Sequence, residues 1–448
     1  MARIDDTLRG TVGFFWKFER PSDLKADPLR GYVQLHDAQW IVVDCLDEDP
    51  MRSFFSARDE VRNDWPTSLA AMTGEAGVLL LNQKFCGAQV RGGGSRASTL
   101  HYRFRTIMAG VNLDELKSPK IRGLRAEFDD GLAWAGMQAI TSSHEYLPDG
   151  SMRLGKMTIV LDGRGQEMQS RVPGGVTLTL KPTWTVTGPD ASQSVASALL
   201  VRCTSRRPVP FDELAKHVDA VRSLLWICHG RIIDCDSLAT LPHYSADADE
   251  AWAGTWDDRL LQEGVDTPPP RSSKKSTWAL VGLADLGGNA AAISRWIRFH
   301  EKHGRFTGPV LHGFRLTGKV PVQTHAMSVA AAIEYFVAFN RSKKKGWAVS
   351  DSHKNRALAK YAGRAFAKWV GDINKWADGL QAVYNSIKHD PSTIVDPYRT
   401  LLLMQAGEVL ISCVTLDEIA GNRRPSTRFL GDHRTEEVGR RLRKELGV

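Results

Sequence analysis

The feature that most constrains this chain is a change in the period of its apolar residues near residue 210. Before that point short runs alternate or are apolar throughout: Gly31-Tyr32-Val33-Gln34-Leu35, Trp40-Ile41-Val42-Val43, Gly77-Val78-Leu79-Leu80-Leu81, Leu100-His101-Tyr102-Arg103-Phe104, Met157-Thr158-Ile159-Val160-Leu161, Val176-Thr177-Leu178-Thr179-Leu180 and Ala198-Leu199-Leu200-Val201. Turn chemistry separates them at Pro148-Asp149-Gly150, Asp162-Gly163 and Gly188-Pro189-Asp190. From Pro210 the period becomes helical, with Leu214, Val218, Val221, Leu225 and Cys228 on one stripe. Asp212 and Glu213 suit the start of that helix and Gly230 its end. The fold class this predicts is α+β: an antiparallel β-rich sandwich or open barrel followed by an all-α helical bundle.

Helical spacing dominates the rest of the 448 residues. Ala290 to His300, Met327 to Phe339, Asn355 to Val370, Asp372 to His389 and Tyr398 to Ile419 each carry an apolar stripe, which predicts an antiparallel bundle of at least four helices. So long a chain exceeds one ordinary core. The Pro/Ser-rich, charged stretch from Thr267 to Ser276 is the natural joint. The expected division is therefore a β-rich domain over 1–265, a linker over 266–278, a bundle over 279–425 and a basic tail over 426–448.

Composition narrows the function classes. With 42% hydrophobic and 25% charged residues the chain is an ordinary globular sequence. No run approaches the roughly 18 apolar residues of a membrane span, and Met1 to Asp6 lacks the apolar core of a signal peptide. A cytoplasmic location and no membrane partner are expected. The six cysteines form no Cys-x-x-Cys pair, which argues against a zinc ribbon and against a disulfide framework. Cys228, His229 and Cys235 read as core rather than ligands, and neither a metal nor a cofactor is expected. Gly92-Gly93-Gly94-Ser95 lacks the Gly-Lys-Ser/Thr ending of a phosphate loop, and Gly282 with Gly287-Gly288 fails the same test.

The chemistry-bearing stretch is Tyr384-Asn385-Ser386-Ile387-Lys388-His389, at the end of the 372–389 helix that Pro391 stops. Asn385 and His389 are four residues apart and share a helix face, with Tyr384 and Lys388 on the neighbouring row. Histidine titrates near neutrality and serves as base or acid. The Asn385 carboxamide offers hydrogen bonds to phosphate or ribose, and Lys388 offers a point charge. Upstream, residues 341–370 carry nine Lys/Arg against one acidic residue, Asp351. A solvated face normally mixes signs, so this bias predicts a phosphate-binding strip, with Lys354, Arg356, Lys360, Arg364 and Lys368 as its RNA-binding residues. A net charge of +8 permits that partner.

The Asn385/His389 pair, with a helix on either side, resembles the HEPN motif, an Arg followed by four to six residues and a His, often Arg-Asn-x-x-x-His. The opening Gly13-Phe14-Phe15-Trp16, followed by Arg30-Gly31-Tyr32-Val33, resembles the ApeA N-terminal domain. Together the chain resembles the ApeA-like HEPN family of bacterial anti-phage abortive infection. The resemblance implies a metal-independent endoribonuclease acting on RNA, with tRNA among the candidate substrates. It also implies a homo-oligomer, a dimer or dimer of dimers, in which facing motif helices complete the site. A phage-derived trigger and a role for Glu334 in orienting His389 belong to the same expectation. The chain departs from the family at the Arg position, held here by Tyr384, and Lys388 is the nearest substitute cation. The alternative reading is a catalytically degenerate HEPN bundle that binds RNA or dimerises. A carbohydrate- or peptide-binding sandwich with a helical oligomerisation tail explains the strands but gives the basic strip no role.

Overall fold

The computed structural model describes the strand backbones at 12–17, 29–36, 40–47, 68–73, 76–81, 84–90 and 98–111, then residues 120–146, 154–163, 165–189, 193–242, 252–257, 260, 278–316, 320–342, 347, 353–389 and 395–448. The predicted loop at Gly92–Ser95 and nearly all of the predicted linker lie outside the described residues. Two compact units divide the chain: 1–129, 171–219 and 234–275 form a β-rich unit, and 130–170, 220–233 and 276–448 a helical one.

The strands are β1 (Val12–Lys17), β2 (Leu29–His36), β3 (Trp40–Asp47), β4 (Ser68–Thr73), β5 (Ala76–Leu81), β6 (Lys84–Val90), β7 (Ser98–Phe104), β8 (Thr106–Val111), β9 (Lys120–Phe128), β10 (Ile140–Tyr146), β11 (Leu154–Leu161), β12 (Met168–Val172), β13 (Val176–Thr187), β14 (Ser194–Pro210), β15 (Ser237–Pro242) and β16 (Ala253–Asp257). All the runs read as strands fall within them. Fourteen join in one ladder, β12-β13-β14-β9-β15-β16-β8-β5-β4-β1-β2-β3-β7-β6, and β10 with β11 forms a separate hairpin. The expected antiparallel pairing holds, for instance between β13 and β14, β14 and β9, and β15 and β9. Register puts apolar residues opposite one another: Leu180 faces Val201, which faces Ala126, and Leu178 faces Cys203, which faces Leu124. All six side chains are buried. Gly123 on β9 leaves room for the Trp252 ring, where a Cβ would come within 2.8 Å of it. That ring in turn carries the Arg125 guanidinium at 5.0 Å. Across β1 and β2, Gly13 and Gly31 stand directly opposite.

The helices are α1 (Gly131–Ala135), α2 (Phe211–His229), α3 (Ala290–Leu316), α4 (Val322–Asn340), α5 (Lys354–Ala362), α6 (Arg364–Val370), α7 (Ile373–His389), α8 (Pro397–Ala420), α9 (Arg424–Gly431) and α10 (His433–Leu446). The helical unit is organised on α8, where Leu402, Leu403, Ala406, Leu410, Ile411, Cys413, Val414, Leu416 and Ile419 are all buried. Asp396 caps it by accepting from the amides of Tyr398 and Arg399 at 2.9 and 3.3 Å, and Pro397 takes the first turn, where its missing N–H costs nothing. Gly407 permits the approach of α4, since a Cβ there would meet Val329 Cγ1 at 2.5 Å. By length and composition alone α8 passes as a membrane span, contrary to the expectation that no run comes close; 78% of the stretch is buried within the unit, as a core helix.

Three boundaries differ from the sequence reading. The segments 130–170 and 220–233, assigned by sequence order to the β-rich domain, join the helical unit. Side chains fasten them there: Trp296 Nε1 donates to the Ala220 carbonyl at 2.6 Å, and Arg434 Nη1 to that of His229 at 3.3 Å. Residues 426–448, read as a tail, fold into most of α9 and all of α10. Their amphipathic spacing buries Phe429, Leu430, Leu442 and Leu446, and Arg428 pairs with the buried Asp285 at 3.1 Å. The helix expected from Ala290 to His300 continues to Leu316, bending at His303 (φ −122, ψ 28).

Candidate active site

Helix α7 is oriented by its own sequence. Asp372 Oδ1 accepts from the amides of Asn374 and Lys375 at 2.8 and 3.0 Å, which fixes its start. Trp376, Ala377, Leu380 and Val383 are buried, and Trp376 Nε1 donates to the Leu403 carbonyl of α8 at 3.1 Å. With that face turned inward, the last turn presents Asn385, Lys388 and His389 exposed and Tyr384 half-buried. A relay of carboxamides supports it: Asn355 Nδ2 donates to Gln381 Oε1 at 3.3 Å, and Gln381 Nε2 to Asn385 Oδ1 at 3.0 Å. The Asn385 NH2 group remains a donor for a ligand. Lys388 Nζ lies 5.4 Å from the centre of the Tyr384 ring. Four of the five predicted catalytic residues therefore share one turn, and Glu334 is half-buried on a different helix, α4.

The basic strip is built differently from its prediction. Gly363, at φ +88 and ψ −166, breaks the expected 355–370 helix into α5 and α6, a backbone state that in practice only glycine adopts. Lys360 and Arg364, expected on one helical row, stand on either side of the break. Lys360, Arg364 and Lys368 are exposed and Lys354 half-buried. Arg356 is half-buried and pairs with Asp378 of α7 at 2.8 Å.

Sequence reasoning missed a second cluster. His325 Nε2 on α4 and Glu408 Oε1 on α8 lie 2.7 Å apart, both side chains mostly buried. No local pattern signals a pair 83 residues apart. Arg305 and His312 on α3 line the same cleft as His325. Separated by six residues, they satisfy the Arg-to-His spacing that Tyr384 breaks, and that signal was available in the sequence.

The family model for ApeA N-terminal domain 1 matches residues 11–246, more than half of the chain. The chain belongs to the ApeA family. In this ApeA-family chain the matched stretch runs from β1 through β15 and stops short of α3, so it does not extend over the helices that carry Asn385 and His389. No curated protein and no solved structure matches it.

Proposed function

We propose that this ApeA-family protein serves in anti-phage defence as a metal-independent endoribonuclease, with the last turn of α7 as its reacting centre. The observation that supports the reading is the exposure of Asn385, Lys388 and His389 together on a helix whose opposite face is anchored by Trp376 and Leu380. His389 takes the ribose 2′-hydroxyl proton, the 2′-oxygen attacks the adjacent phosphorus, and the 5′-oxygen leaves with a proton from an acid. The products are a 2′,3′-cyclic phosphate and a 5′-hydroxyl. Lys388 offsets the charge that gathers on the phosphoryl oxygens, and Asn385 donates to them. Each chain brings one histidine to this turn, so acid and base come from two copies in a homodimer or a dimer of dimers. Lys360, Arg364 and Lys368 hold the strand's phosphates. The β-rich unit senses a phage-derived trigger in the cytoplasm.

The test is incubation of the full chain with total tRNA in EDTA. Cleavage that leaves cyclic phosphate ends is expected, with His389→Ala reducing it at least about 100-fold, the scale of lost acid–base catalysis. Because His389 is exposed, the melting temperature should hardly move. The second reading, a degenerate bundle that binds RNA without cutting it, is favoured by Tyr384 at the arginine position. Binding without cleavage in the wild type would select it. Cleavage that survives His389→Ala but not His312→Ala would move the centre to α3.

A further inference from the structure

A cleft of about 770 Å³ lies in the helical unit between α3, from Gly304 to His312, and α4, from Thr324 to Tyr335. Its volume falls in the range of small-ligand sites. Glycine, alanine and proline line much of it, so backbone forms a large part of the walls and leaves space for a flat group. Against this apolar floor stand a few polar groups. The Arg305 guanidinium carbon is 5.9 Å from the centre of the Tyr335 ring. Tyr335 is half-buried, with its hydroxyl donating to the Lys302 carbonyl at 3.4 Å, which steadies the ring. His312 is exposed on the same wall.

His325 is the most constrained of these groups. Its Nε2 is held by Glu408 at 2.7 Å, which leaves Nδ1 for a ligand, as acceptor in the neutral ring and donor in the protonated one. Gly313 makes room for the pair: a Cβ there would collide with Glu408 Oε1 and come within 3.1 Å of His325 Nε2. The chain thus keeps a side chain out of the place where it positions a histidine at the cleft wall. The first turn of α4, which brings Thr324 and His325 to the cleft, also points the positive end of a 19-residue helix there.

We propose that this cleft binds a nucleoside phosphate. Arg305 and His312 take the phosphate oxygens, for which a planar guanidinium is the natural fork. Tyr335 offers a ring face to the base, and His325, positioned by Glu408, supplies the third polar contact. The site uses none of the residues assigned above to RNA cleavage on α7, so it stands apart from that reading.

Isothermal titration calorimetry of the full chain with AMP, ATP, adenosine and inorganic phosphate tests it. AMP and ATP are expected to bind, with adenosine and phosphate each at least about tenfold weaker, because each makes only one half of the contacts. Arg305→Glu, an exposed position, should weaken AMP binding at least tenfold without changing the melting temperature. Gly313→Ala should weaken it as well while touching no ligand, and His325→Gln should do so if Gly313→Ala perturbs folding. His389→Ala should leave AMP binding unchanged. Absence of heat with both nucleotides, or unaltered binding in Arg305→Glu, would overturn the proposal whatever the outcome of the RNA experiment.

Discussion

The ammonium of Lys388 rests 5.4 Å from the centre of the Tyr384 ring, so the cation that the candidate site needs sits on the residue that replaces the family's arginine. An exposed cation–π contact contributes about 0.5–1 kcal/mol, too little to withhold the lysine from a phosphate. Lys388→Ala is expected to lower kcat/KM on tRNA by about 100-fold, the loss typical of one preorganised charge contact. Tyr384→Phe keeps the ring face and should stay within a factor of about two, since the contact it preserves is worth only a fraction of that barrier. Unchanged turnover in Lys388→Ala would remove the lysine from the site.

Much of this architecture was legible because it rests on local periodicity. The alternation in Val176–Leu180 and the stripe Leu214, Val218, Val221 each became the expected element. The same holds for α7, whose stripe and Asp372 cap are both visible in the sequence. What was not legible depends on contacts distant in sequence. Trp296 with Ala220, and Arg434 with His229, decide that 220–233 belongs with the helices, and neither contact has a local signature. Gly363 misled for a different reason. Apolar spacing continues through it, from Leu358 and Ala362 to Phe366 and Trp369, so periodicity alone extends one helix across a residue whose backbone ends it. The last turn of α7 was located correctly as a cluster, whereas the His325–Glu408 pair needed the fold to bring α4 and α8 together.

The break at Gly363 bears on the basic strip. Lys360, Arg364 and Lys368 are exposed, while Arg356 is tied to Asp378. Charge reversal of the three exposed cations should therefore weaken RNA binding far more than reversal of Arg356. Each lost phosphate contact should lower the slope of log K against log salt by about 0.7 for a single strand. Filter binding between low and moderate salt reads this directly. A slope that stays the same in the triple variant would reduce the strip to a solvated face.

The last prediction concerns pH and needs no assumption about function. Burial, aided by Arg231, pushes His229 down to about 4 in the helical unit, and its ring nitrogens have no hydrogen-bond partner. Burial, aided by Lys216, does the same to His217 in the β-rich unit, again to about 4. An unfolded histidine titrates near 6.5, so as pH falls from there towards 4 the unfolded chain takes up a proton that the folded chain refuses. Each histidine should then cost up to about 3 kcal/mol across that window and add nothing further below it. Asp236 has the opposite sign. Burial, then the neighbouring Asp129, raise it to about 7, so the folded carboxyl keeps a proton that the unfolded one releases above roughly 4. Its contribution is present at low pH and is lost as pH rises through 7. Calorimetric melting should separate the two. His229→Phe, which removes a buried titrating ring at similar shape, should flatten the loss of stability between pH 7 and 5. Asp236→Asn, whose amide oxygen can still accept from the Asp129 amide, should raise the melting temperature at pH 8 and match the wild type near pH 5. A wild-type melting temperature that stays level from pH 7 to 5 in both Asp236→Asn and the native chain would refute the buried, neutral state assigned to these histidines.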